Sequence, residues 1–107
     1  MRWAVGFLNE EIKAALDDLP ADLRASFQRI VELIQVNGLE RVREPYLKHL
    51  EGPLWEMRLK GRSGIARAVY VTATGMRIVI VHVFAKKTQK TPRHEIEKAL
   101  KKAKEVQ

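Results

Sequence analysis

Arg58, Arg67 and the adjacent pair Lys86-Lys87 are the residues of this 107-residue chain best spaced to act on an anion, because each lies in or just after a segment of two-residue apolar period. Side chains alternate across a strand, so Glu56, Arg58 and Lys60 share one face while Trp55, Met57 and Leu59 take the other. By the same rule Arg67, Val69 and Val71 oppose Ala68, Tyr70 and Thr72. The following apolar run ends in Phe84-Ala85-Lys86-Lys87, so one of its two lysines meets whichever face of a sheet is open. If Arg58, Arg67 and Lys87 converge, they form a cluster of the kind that binds and stabilises a phosphate. Taken singly, a basic residue on an exposed sheet face is by default a solvated surface cation.

Other chemistries have less support. The chain has no cysteine, which removes disulfides, thiolate zinc sites and a Cys nucleophile. Its three histidines show no metal-ligand spacing: His82 lies within the most apolar run, His49 near a turn, and His94 beside the start of the last helix. Ser26 falls inside a helix and Ser63 in a turn, which gives a catalytic triad little to build on. Gly61-Arg62-Ser63-Gly64 joins two strands and opens no helix, so it is not a phosphate-cradling loop. No cofactor and no metal are expected. One reaction still suits a basic face, the cleavage of RNA by its own 2′-hydroxyl. It needs a base for the hydroxyl proton, an acid for the leaving 5′-oxygen, and cations around the charged phosphorane.

The elements that would position these groups follow from pattern. Trp3, Val5 and Phe7 alternate as in a strand. Asn9 is a helix N-cap with Glu10 and Glu11 in the first turn, predicting a helix over about 10–19. Pro20 suits the first turn of a second helix, in which Leu23, Phe27, Ile30, Val31 and Ile34 form an apolar stripe that Asn37-Gly38 terminates. These two helices are expected as an antiparallel pair laid on a sheet. Residues 46–50, 54–60, 65–72 and 77–85 read as four strands joined by tight turns and therefore mainly antiparallel, with the β-branched last strand central and covered on both faces. Thr91 is a good N-cap and Pro92 a good first helical residue for a last helix to about residue 105. The expected fold is α+β: a strand, a two-helix hairpin, a mainly antiparallel sheet of about four strands and a C-terminal helix, as one domain over 1–107.

Charge is unevenly spread along this order. The formal net charge is +7, with 46% hydrophobic residues. Residues 1–40 hold four bases against seven acids, a net of −3; the rest holds sixteen against six, a net of +10. That basic two thirds points to a polyanionic partner, with nucleic acid leading. The apolar runs are too short for a signal peptide or a membrane span, so a soluble cytoplasmic protein is expected.

A more specific signal lies in the order of Tyr46-Leu47-Lys48-His49-Leu50, Leu54-Trp55-Glu56-Met57-Arg58, Arg67, and His82-Val83-Phe84-Ala85-Lys86-Lys87-Thr88-Gln89-Lys90-Thr91-Pro92 with Glu95-Ile96 beyond. The Trp-Glu-x-Arg and Phe-x-Lys-Lys-Thr-Gln-Lys-Thr-Pro segments, about thirty residues apart, resemble the HigB-type branch of the RelE/ParE toxin superfamily, and the resemblance spans nearly the whole chain. It implies a type II toxin, a ribosome-dependent endonuclease that cuts mRNA without metal, inhibited by a HigA-like helix-turn-helix antitoxin. Its partners would be that antitoxin, the ribosome and mRNA. Carried over by position, Arg67 would contact the scissile phosphate, Lys86 and Lys87 match a basic pair after the following strand, and Arg58 matches the arginine of the Trp-Glu-x-Arg segment, where an ion pair with Glu56 or Glu95 is an equal reading. On the endonuclease reading, Arg67→Ala is expected to lose most of the cleavage activity and to stay folded.

One departure bears on mechanism. Many RelE enzymes place a tyrosine near the start of the last helix, whereas the tyrosines here are Tyr46 and Tyr70. His94, Lys90 or Lys86 would take its role, or His82 and Tyr46 from elsewhere. Lys48, Lys60, Arg62, Lys90, Arg93, Lys98, Lys101 and Lys102 would dock RNA or the ribosome. A ParE-like inhibitor of DNA gyrase, or a nonenzymatic RNA-binding module on the same fold, are the alternatives.

Overall fold

Asn9 starts the first helix as its spacing predicts: Oδ1 accepts the Ile12 amide at 2.9 Å, ahead of Glu10 and Glu11 in the first turn. The computed structural model describes residues 2–86 and 90–106. After strand β1, Ala4–Phe7, it forms helix α1, Glu10–Asp17, and helix α2, Ala21–Asn37. Gly38, at φ +89°, ends α2 by donating its amide to Ile34 O at 2.8 Å. A 3-10 turn at Leu39–Arg41 leads to four strands, β2 Leu47–Glu51, β3 Leu54–Gly61, β4 Gly64–Ala73 and β5 Arg77–Lys86, and then to helix α3, Arg93–Ala103.

All five strands form one mixed sheet in the order β1-β5-β4-β3-β2. β2 to β5 pair antiparallel through short connections, whereas β1 pairs parallel with β5 because two helices and three strands intervene between them. The sheet is thus one strand wider than the four-stranded expectation, and β4 rather than β5 lies at its centre. β5 is nevertheless interior and buried on both faces.

Alternation splits the core in two. Met57, Leu59, Ala68, Tyr70, Ile78 and Ile80 face α1 and α2, with Ile12, Phe27, Ile30 and Ile34 packed on them. α1 rests on β5 and β1, and α2 on β3 and β4, so the sheet anchors each helix separately. On the opposite face Val69, Val71, Val79 and Val81 meet Ala99, Ile96 and Leu100 of α3. The thin apolar stripe of α3 suffices because the helix covers only part of this face. Among the described residues no helix is long and apolar enough to cross a membrane.

A β-bulge in β5 decides which side chains reach the uncovered part. Val69 pairs with His82 and Tyr70 with Ile80, leaving Val81 without an opposite residue. The extra residue reverses the alternation. Upstream, Ile78 and Ile80 face the helix pair. Downstream, Val83 takes that face while Phe84 packs with the α3 side. His82 and Lys86 follow Phe84 by parity.

At the far end of the sheet, Asp22 of α2 holds the β3–β4 turn. Its carboxylate accepts the Ser63 amide and the Ser63 hydroxyl, each at 2.7 Å. These bonds hold the Asp22 carboxyl below the usual range. A depressed acid pKa means that the stabilisation is full above the ordinary Asp range and fades as pH falls through the folded value. Asp22→Ala is therefore expected to speed hydrogen exchange of the Ser63 amide near neutral pH, with the difference from wild type shrinking in acid; equal exchange at neutral pH would show that the clasp does not protect the turn.

Candidate active site

Arg58 and Arg67 stand directly opposite each other on β3 and β4, an arrangement of like charges that needs a counter-ion. Glu56 supplies it. Two residues before Arg58 on the same face, and 1% exposed, its Oε2 lies 3.3 Å from Arg67 Nε and 3.7 Å from Arg58 Nε. Arg67 is only 2% exposed and also donates from Nη1 to the carbonyl of Ala66 at 3.1 Å. Burial, and next to it the Arg58 charge, lower the Arg67 pKa, while Glu56 opposes the shift.

The other carboxylate oxygen of Glu56 accepts the Thr91 hydroxyl at 2.6 Å, and Lys86 Nζ lies 3.5 Å from that same hydroxyl oxygen. Thr91 therefore does not cap α3. Pro92 occupies the cap position without a side-chain bond, and the Thr91 side chain is turned to Glu56 and Lys86. Lys86 is 9% exposed, and its pKa is pushed down to about 8 by burial first and then by Arg67, with Arg58 and Lys48 adding to the fall and Glu56 opposing it. A lysine so placed is partly neutral near physiological pH and has a usable lone pair.

The cluster is therefore Arg58, Arg67 and Lys86 around Glu56. Sequence reasoning leaves open which of the two lysines joins the arginines; the bulge at Val81 puts Lys86 on their face. Lys87 lies outside the described residues. A cleft of about 750 Å³ opens beside the pair of arginines, lined also by Ser26 and Arg29 of α2, Tyr46 and Lys60. Tyr46 enters this wall because its carbonyl accepts the Arg58 amide at 2.8 Å, fixing the chain just before β2. Arg29 is one of the four bases of residues 1–40, and nothing in its local pattern distinguishes it.

The remaining predicted residues are distributed around this centre. Lys48 pairs in register with Glu56 on β2. Arg62 is exposed in the β3–β4 turn, and Lys60, Lys90 and Lys101 are also exposed. Arg93 forms a forked ion pair with Glu51 and approaches Glu97 at 3.5 Å, so it ties α3 to the end of β2. His94 is exposed, with Nε2 3.8 Å from Glu95. Lys98 lies 3.9 Å from Glu95.

His82 belongs to a different group. Its Nε2 lies 2.8 Å from Glu95 Oε1, and its Nδ1 is 3.4 Å from Lys102 Nζ. A lysine ammonium can only donate, so Nδ1 accepts and Nε2 carries the proton toward Glu95. Burial lowers the His82 pKa despite Glu95. The neutral ring joins β5 to α3, as the plain reading of a hydrogen-bonded core histidine predicts. Among the described residues no three His, Cys, Asp or Glu side chains come together as metal ligands.

A helix pair on one face of a β1-β5-β4-β3-β2 sheet, a terminal helix on the other and a cationic cleft beside them define an α+β domain of the RelE-like fold. A mutant of the E. coli toxin RelE in the free state superimposes with a TM-score of 0.66 at 17% identity, over 94% of this chain and 97% of that one. A chain of the archaeal RelE-RelB complex from Pyrococcus horikoshii OT3 gives a TM-score of 0.56 at 22% identity, over 79% of this chain and 96% of that one. In sequence, residues 14–104 match the family described as "Phage derived protein Gp49-like (DUF891)", and the chain belongs to this family. No curated protein matches it.

Proposed function

We propose that this protein is the toxin of a type II toxin–antitoxin pair, of the HigB type, and that it cleaves mRNA on the ribosome without metal. The observation that carries this reading is the convergence of Arg58, Arg67 and Lys86 around Glu56 and Thr91, with the two arginines lining a cleft. Neutral Lys86 takes the proton from the 2′-hydroxyl, whose oxygen attacks the neighbouring phosphorus. Arg67 and Arg58 stabilise the phosphorane charge. The 5′-oxygen then leaves with a proton from His94, exposed in the first turn of α3 three residues after Thr91, and a 2′,3′-cyclic phosphate remains. The ribosome supplies the alignment of the RNA.

Lys48, Lys60, Arg62, Lys90, Lys98 and Lys101 serve as docking charges, with Lys87 a second cation at the site. Arg93 and Lys102 contribute through the contacts that hold α3. The archaeal RelE-RelB complex supports an antitoxin as partner; for this chain we take it to be a helix-turn-helix protein whose contacting segment is acidic or bars the toxin from the ribosome. Protein added to a translation extract is expected to shorten mRNA at defined codons. Intact mRNA under conditions in which the protein stays folded would end this reading. If the protein instead blocked gyrase supercoiling, it would be replaced by a ParE-like one.

A further inference from the structure

Glu56 and Thr91 are both buried and neither lines the cleft, yet both touch the cationic residues. Their hydrogen bonds have a defined direction. The single Thr91 proton goes to Glu56 Oε1, so the Thr91 oxygen keeps its lone pairs for an N–H of Lys86. Glu56 meanwhile turns its second oxygen to Nε of both arginines. One carboxylate thus orients the two guanidinia directly and the lysine through a hydroxyl relay.

We infer that Glu56 and Thr91 are the positioning residues of this site, with Thr91 holding the Lys86 amine so that its lone pair faces the 2′-hydroxyl. The inference rests on the endonuclease reading and deepens it. When Lys86 is neutral it has two N–H groups and one lone pair. An N–H bound to Thr91 removes rotational freedom about the Cε–Nζ bond and leaves the lone pair free for the substrate. Thr91 reaches this position because it precedes α3, whose docking on the sheet sets the height of the segment. The groups facing Lys86 are Glu56 and Arg58 on β3, Arg67 on β4, Lys48 on β2, and Thr91.

The test uses Thr91→Val, Thr91→Ser and Glu56→Gln in the full chain, with folding checked by near-UV circular dichroism. Two readouts are independent of each other: the pH titration of the Lys86 side chain followed by NMR, and the single-turnover rate of mRNA cleavage on programmed ribosomes as a function of pH. Thr91→Val is expected to lose about 10- to 100-fold in the plateau rate through lost orientation, and Thr91→Ser to recover to within about threefold of wild type because the hydroxyl returns. Glu56→Gln removes a charge that raises the Lys86 pKa, so both the NMR midpoint and the inflection of the rate profile should move to lower pH. Folded Thr91→Val at the wild-type rate, Thr91→Ser no better than Thr91→Val, or an unmoved Lys86 midpoint in Glu56→Gln would each overturn the inference. If the wild type cleaves nothing, the endonuclease reading fails, and the NMR titration still decides whether Glu56 is coupled to Lys86.

Discussion

Arg67→Ala is expected to lower the stability of the protein by about 3–5 kcal/mol, the cost of removing one partner of a buried ion pair, as well as to abolish cleavage. Arg67 is 2% exposed and Glu56 1% exposed, so the truncation leaves an enclosed carboxylate stripped of the guanidinium that lies 3.3 Å from it. For a domain of this size the loss corresponds to a fall in melting temperature of more than about 10 °C. This corrects the expectation that Arg67→Ala would be a clean, folded loss of activity. The informative comparison is with Arg67→Met combined with Glu56→Gln, which removes both buried charges and should recover most of the melting temperature while remaining inactive. Thermal melts of the wild type, the two single variants and the double variant settle it. A single variant that melts like the wild type would show that the pair is not energetically buried.

Lys86 is expected to behave in the opposite way. Lys86→Met should reduce cleavage by about 100- to 10,000-fold, the range for removing a general base, with no loss of stability at neutral pH. The sign follows from its pKa, about 8 in the fold against 10.5 for an ordinary lysine. The unfolded chain binds the proton more tightly, so the folded state carries a penalty that is full below about pH 8 and is relieved as pH rises from there toward 10.5. Its upper size is about 3 kcal/mol, because each tenfold loss of proton affinity on folding costs about 1.4 kcal/mol. Wild-type stability should accordingly gain from this group between about pH 8 and 10.5, and Lys86→Met should lack that gain. Lys86→Arg separates chemistry from charge. An arginine stays protonated and cannot serve as a base, so it should be nearly as inactive as Lys86→Met; near-wild-type cleavage by Lys86→Arg would assign Lys86 to electrostatic stabilisation.

Much of the architecture is legible in the residues. Asn9 followed by two acids, the stripe from Leu23 to Ile34 closed by Gly38, and turns at Gly52-Pro53, Ser63-Gly64 and Thr74-Gly75 are local signals, and each corresponds to an observed boundary within a residue or two. Alternation in β3 and β4 grouped Glu56 with Arg58 and Arg67 with Val69; that the two groups share one face follows from the β3–β4 register, which sets Arg58 opposite Arg67. The Arg58–Glu56 ion pair, one of two readings open for Arg58, is also present. Thr91 shows where such reasoning stops. Its type and its place before Pro92 mark a helix cap, but a buried carboxylate thirty-five residues earlier in the chain binds the hydroxyl instead.

What the amino-acid sequence determined by itself was the set of elements, their order, the concentration of positive charge in the last two thirds, and which side chains share a face within each strand. These depend on interactions between residues a few positions apart. Only the tertiary structure decided that Lys86 joins the arginines, that His82 turns to α3, and that β1 closes the sheet as a parallel edge. For Lys86 and His82 the physical reason is the bulge at Val81. Residues 78–83 are apolar on both sides except for His82, so a one-residue slip costs little in hydrophobic pattern, and the parity of everything downstream is chosen by how β5 pairs with β4 and packs beneath α3.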